Sequence, residues 1–156
     1  MLWGLAVGVL VVVVAFAVLG WWSRQMDARA PGVVDGALAA CAAAPNCVCS
    51  EVAQAGDATH HVAPLALPPG APEARWDAVV AAVRDAGGRI VSERDGYLHA
   101  VFRTPLFGFA DDVELRLDGD AVHWRSASRV GHSDLGANRR RLEALRGRIK
   151  AAVSAR

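Results

Sequence analysis

From Leu2 to Trp22 the chain is apolar without a single charged residue. At 1.5 Å of rise per residue this helix-length run measures about 31 Å, which matches a hydrocarbon core of roughly 30 Å. Trp3 stands at one end and Trp21-Trp22 at the other, where the bilayer interface favours indole rings. A cleaved signal peptide fits less well. Its apolar region runs about 7 to 15 residues between a basic start and a small-x-small cleavage site. Here no Lys or Arg precedes the run, and Ser23-Arg-Gln-Met-Asp follows it. The pattern predicts an uncleaved anchor over 1–22 that meets lipid through residues 2–22. A juxtamembrane linker over 23–34 follows, broken by Pro31-Gly32, and then a soluble domain over 35–156.

Beyond the anchor the periodicity changes. Asp35 is placed to cap a short helix reaching Cys41, and 42–70 reads as irregular, with prolines at 45, 64, 68 and 69. Pro72 suits the first turn of a helix in which Trp76, Val79, Val80 and Val83 recur at i, i+3, i+4 and i+7, until Gly87-Gly88 stops it. Two hairpins come next. Arg89 to Arg94 and Tyr97 to Thr104 flank Asp95-Gly96, and Val113 to Asp118 and Ala121 to Ser126 flank Gly119-Asp120. In the second hairpin a two-residue loop pairs Leu117 with Val122, Leu115 with Trp124, Arg116 with His123 and Glu114 with Arg125. One face is then wholly apolar and the other polar. A last helix begins near Ser133 as N-cap, with Asp134 at the positive end of its dipole. Its apolar stripe is Leu135, Leu142, Leu145, Ile149 and Val153. These elements predict one α+β domain, a four-stranded antiparallel sheet with helices mainly on one face.

About 130 residues outside the anchor suffice for one core. The net charge is +1 but uneven: Arg139, Arg140, Arg141, Arg146, Arg148, Lys150 and Arg156 share the C-terminal segment with Glu143 alone. That segment reads either as a solvated helix face or as an attractor of anionic headgroups or an acidic partner. Orientation signals conflict. Arg24 and Arg29 after the span mildly favour a cytoplasmic domain by the positive-inside rule, whereas Cys41 and Cys47 enclose a short loop that suits a disulfide and an oxidising compartment. We weight the cysteines and expect an exported domain on an inner-membrane anchor, facing the periplasm or an equivalent exterior, where nucleic acid is not an expected partner. A Cys41 to Cys49 pairing, a reduced trio, and thiolate and imidazole ligation by Cys41, Cys47, Cys49 and His60-His61 are the alternatives; no standard zinc spacing is present and no metal is expected.

The candidate chemistry is concentrated around the second hairpin. Glu114 and Arg125 face each other across the sheet, and Asp111, Asp112, Arg129, Ser133, Asp134, Asn138 and Arg139 lie near its ends in sequence. One reading is a network of salt bridges and caps. The other is an anion or carboxylate pocket lined by Arg125, Arg129 and Arg139 beside a helix N-terminus. His132-Ser133-Asp134 is no triad, because adjacent residues point apart whereas a triad converges from separate parts of a fold. Ser126 and Ser128 have no identifiable base, and no phosphate loop or dinucleotide fingerprint is present, so no cofactor is expected. Pro105-Leu-Phe-Gly-Phe109 is apolar where a loop is ordinarily polar. It either tucks into the core or forms a lip that meets a lipid, an apolar ligand or a partner.

Several of these segments together resemble a known family. Cys41 with Pro45-Asn46-Cys47-Val48, the Trp76 helix, Phe109-x-Asp111-Asp112-Val113-Glu114, and the run Arg125-Ser-Ala-Ser-Arg129-Val-Gly-x-Ser133-Asp134-Leu-Gly-x-Asn138-Arg139-x-Arg141 are similar to domain of unknown function 1499. The likeness runs from about Cys41 to Arg148. It implies an exported or envelope-associated protein, often anchored at its N-terminus, and a Cys41 to Cys47 pairing; it implies no reaction. Cys49 departs from the pattern, which has Ser there. We therefore expect a non-catalytic binding domain for an anionic ligand or a membrane-protein partner. The alternatives are an envelope hydrolase using Glu114 or Asp111 beside arginines, and a structural subunit of a membrane complex.

Overall fold

The computed structural model describes residues 2–51 and 58–155. Met1, residues 52–57 of the irregular stretch and Arg156 of the basic segment lie outside the described residues. Helix α1 (Leu2–Gln25) is followed by β1 (Val33–Val34), β2 (Ala37–Leu38), β3 (Cys47–Cys49), β4 (Leu65–Ala66), α2 (Pro72–Asp85), β5 (Arg89–Arg94), β6 (Tyr97–Arg103), β7 (Ala110–Asp118), β8 (Ala121–Ser128) and α3 (Ala137–Ser154). Of the side chains described in α1, only Gly20 and Ser23 are buried; the valines, leucines and tryptophans stand bare. By length and composition it is a helix able to cross a membrane.

The domain is α+β. Its main sheet is antiparallel, ordered β3-β8-β7-β6-β5, with β4 pairing the other half of β8. The four expected strands are thus six. The additions are two- and three-residue strands that complete the open edge of β8, giving its backbone groups partners they would otherwise lack. The β7–β8 register is the one expected, Glu114 opposite Arg125 and Leu115 opposite Trp124. Asp95 and Gly96 turn between β5 and β6 with positive φ, and β5 is bulged between Ile90 and Ser92.

The apolar face of the sheet, with Leu98, Ala100, Phe102, Val113, Leu115, Val122 and Trp124, packs against Trp76, Val79 and Val83 of α2 and Leu142, Leu145 and Ile149 of α3. Trp124 is completely buried and donates its indole N–H to the Ala63 carbonyl. A Cβ on Gly88 would meet Phe102 and Val83, so this glycine lets β5 approach α2 closely.

Three local expectations are corrected. Asp35 caps no helix: Asp35 and Gly36 both take positive φ and turn the two-stranded β1–β2 hairpin. Helix α3 starts at Ala137 rather than near Ser133, because Leu135 and Gly136 both lie in the left-handed region and break the helical path. Leu135 is consequently 84% exposed and outside the stripe, whose first buried member is Asn138. The sheet's second face, expected to be the open polar side, is covered by residues 26–38.

Candidate functional site

Alternate residues of β7 point to opposite faces of the sheet, so Asp112 and Glu114 share one face and Asp111 looks to the other. Asp112 and Glu114 are fully buried, beneath the chain that leaves α1. Asp112 Oδ1 accepts from His99 Nε2 at 2.8 Å and Arg129 Nη2 at 2.9 Å; its Oδ2 accepts from Arg129 Nε at 2.9 Å and from the Arg29 backbone N–H at 2.7 Å. Burial alone would raise this carboxyl, but the bonds from His99, Arg129 and the Arg29 amide overcome it and bring it down to about 2. Asp112 in turn holds the Arg129 proton more tightly.

Two residues along β7 the arrangement repeats. Glu114 Oε2 accepts from Arg125 Nη1 at 2.9 Å, while its Oε1 accepts from the Gly32 N–H at 2.7 Å and the Tyr97 hydroxyl at 2.9 Å. Burial and the neighbouring Glu114 charge push Tyr97 up, so the phenol stays a donor. The arginines complete the clamps. Arg125 Nη1 also donates to the Arg29 carbonyl at 2.6 Å, and Arg129 Nη1 donates to the Met26 carbonyl at 2.8 Å. Arg29 is therefore gripped by its backbone from both sides, as a strand would be, with side chains taking the place of a neighbouring strand. Further along, Glu51 accepts from the Leu38 N–H at 3.3 Å, and at the α1 end Ser23 Oγ accepts from the Ala110 N–H at 3.1 Å. The segment read as a juxtamembrane linker is docked on the sheet as a strap.

On the helix-covered face Asp111 accepts from Arg141 Nη2. Arg141 Nη1 donates to Asn138 Oδ1 at 2.7 Å, Ser126 Oγ donates to the same oxygen, and Asn138 Nδ2 donates to Ser128 Oγ and the Asn46 carbonyl, each at 3.0 Å. This buried network joins β7, β8, α3 and the loop before β3. Asp134 Oδ1 and Oδ2 accept from the Gly136 and Asn138 N–H groups and so cap the start of α3, and Ser133 Oγ accepts from Leu135 N–H.

The nine anticipated residues thus divide. Asp112, Glu114, Arg125 and Arg129 hold the strap; Asp111 and Asn138 form the network beneath; Ser133 and Asp134 shape the loop into α3. Arg139 stands apart from both arginines it was grouped with, donating to the Ala58 and Thr59 carbonyls. Arg125 and Arg129 are each neutralised by a buried carboxylate, so they do not jointly face an open anion pocket. Arg141, His99 and Tyr97 are members that the sequence reading left out. Arg141 follows from Asn138 by one helical turn once α3 is phased on Asn138, Leu142 and Leu145. The basic helix is also largely engaged: Arg146 donates to the Ala63 and Pro64 carbonyls and lies 4.7 Å from the Trp124 ring centroid.

Cys41 and Cys47 form a disulfide with Cα atoms 5.7 Å apart, and Cys49 is a buried free thiol. The apolar loop before β7 does not tuck into the domain's core. Phe107 and Phe109 pack on Phe16 of α1, with ring centroids 5.2 and 6.3 Å away, while Leu106 is 81% exposed. Gly20 permits this, since a Cβ there would run into the Phe107 carbonyl. Beside the contact lies a cavity of about 370 Å³ between α1, the start of β7 and the β8–α3 connection. No group of residues arranged to hold a metal occurs among the described residues.

A family model described as "Protein of unknown function (DUF1499)" matches residues 37–149. No curated protein and no solved structure matches.

Proposed function

This chain belongs to the DUF1499 family of proteins of unknown function, and from that premise we propose a single-pass envelope protein. In this reading its exported, non-catalytic domain is seated on its own anchor and binds a component of the membrane. The double clamp on the strap is the observation that carries it. Asp112 with Arg129 and Glu114 with Arg125 spend their hydrogen bonds on backbone groups of Met26, Arg29 and Gly32, which fixes the domain a few residues from the end of α1. A fixed domain presents the same membrane-proximal surface to the bilayer at all times, which is useful for binding what the bilayer offers and unnecessary for catching a soluble anion. The disulfide supports an oxidising exterior, the periplasm for an inner-membrane anchor. The hydrolase alternative would need Glu114 or Asp111 free to exchange a proton with substrate, and both are buried against arginines.

Reporters that work on only one side of the membrane, fused to the C-terminus of the full chain, test the topology. Activity from the exterior reporter alone is the expected result. Activity from the cytoplasmic reporter alone would overturn it.

A further inference from the structure

The cavity at the anchor–domain junction has one wall that belongs to the membrane span: Phe16, Leu19 and Trp22 line it. Phe16 precedes Trp22 by six residues, about 9 Å along a helix. If Trp21 and Trp22 mark the interface, the cavity begins within the hydrocarbon region. The loop opposite satisfies part of its own backbone: Thr104 N–H donates to the Phe109 carbonyl, Gly108 N–H to the Thr104 carbonyl, and Phe109 N–H to Thr104 Oγ1. Arg24 Nη1 donates to the Phe107 and Gly108 carbonyls and the Phe107 and Phe109 rings pack on Phe16, so the loop lies against protein where it meets α1.

Two further features point to an occupant. Leu135, at the cavity rim, has φ +52, a region that penalises branched L side chains, and yet it is exposed. An apolar side chain held there at a backbone cost suits contact with an apolar phase. At the polar end, the hydroxyls of Thr104, Ser128 and Ser133 each accept one hydrogen bond, from Phe109 N–H, Asn138 Nδ2 and Leu135 N–H. Each retains a proton to donate. The two carboxylates nearby, Asp111 and Asp134, are already engaged. The cavity therefore offers an apolar body and hydroxyl donors for acceptor oxygens.

We propose that this cavity receives an acyl chain of a bilayer phospholipid, with the ester or phosphate oxygens met by these hydroxyls. The inference rests on the anchored reading above and names the membrane component that the domain binds.

The test uses the full chain in vesicles of phosphatidylcholine and phosphatidylglycerol containing a phospholipid with a diazirine near the end of one acyl chain. Irradiation and peptide mapping locate the adducts. Adducts are expected on Phe109, Val130 and Leu135 as well as on the exposed length of α1. Ala137→Trp, which fills the cavity, and Leu135→Gly, which removes the rim and eases the backbone, should each lower the adducts at Phe109 and Val130 several-fold without changing those on Leu5 to Val13. Adducts confined to α1, or adducts at Phe109 and Val130 that neither variant lowers, would overturn the lipid site while leaving the anchor in place. An α1 without adducts would overturn the anchored reading itself.

Discussion

Replacing Arg125 with alanine breaks one clamp while leaving its carboxylate behind. Glu114 has no exposure to solvent, and without Arg125 it keeps only the Gly32 amide and the Tyr97 hydroxyl as donors, while the Arg29 carbonyl loses its partner. Breaking a buried pair from one side costs about 3 to 5 kcal/mol. The two remaining donors place Arg125→Ala near the lower end, about 3 kcal/mol. At roughly 4 °C per kcal/mol for a chain of this size, the melting temperature falls by about 12 °C. The paired change Glu114→Gln with Arg125→Met removes both charges, keeps an acceptor for Gly32, and should cost less than Arg125→Ala alone. Arg139→Ala loses only exposed bonds to two carbonyls and should stay within about 0.5 kcal/mol. Thermal unfolding of the full chain in detergent micelles measures all three. An Arg125→Ala variant as stable as the parent, or an equal and large loss at Arg139, would refute the clamp.

Asp112 makes stability pH-dependent at the acid end. Its carboxyl lies at about 2 in the folded chain against 3.8 when unperturbed, so its contribution is complete above about 3.8 and disappears as pH falls through 2. Acid titration of the melting temperature should show about 2 kcal/mol lost in that window, and less in Asp112→Asn. Burial pushes the Cys49 thiol up, so iodoacetamide should leave it unlabelled at neutral pH until denaturant is added; rapid labelling of the folded chain would contradict its placement. Reducing Cys41–Cys47 should cost about 2 kcal/mol, because the loop it closes is short. A cysteine pair placed at positions 16 and 107 should crosslink, and adding Gly20→Val, which pushes the Phe107 loop off α1, should abolish that crosslink.

What the sequence disclosed followed from local rules. Asp95-Gly96 and the alternation on either side of Gly119-Asp120 set turn and register together, and the Val79, Val80 and Val83 spacing set the buried face of α2. Strands β3 and β4 escaped notice because two or three residues carry no measurable period, and they exist only as partners for β8. Asp35-Gly36 carries the same turn signal as Asp95-Gly96, but Asp also reads as a helix cap and the flanking strands are only two residues long. The strap was invisible for a different reason. Its bonds to Asp112 and Glu114 use its own backbone N–H and C=O groups, which every residue possesses, so no side-chain pattern in 26–34 announces the docking. Only the carboxylates at alternate positions of β7 hint that something must satisfy them. The grouping of Arg139 with Arg125 rested on nearness in sequence alone: Asn138 lies on the buried stripe of α3, and Arg139, one residue further round the helix, reaches the Ala58 and Thr59 carbonyls instead.

Asp112, Glu114, Arg125 and Arg129 bind the strap after α1 to the sheet, and hydrogen exchange of the Arg29 and Gly32 amides reads that binding amide by amide. Both donate to buried carboxylates, so in the full chain they should exchange as slowly as core amides of β7 and speed up sharply in Asp112→Ala and Glu114→Ala respectively. Exchange of both amides at the rate of an exposed linker, unchanged by either substitution, would contradict it.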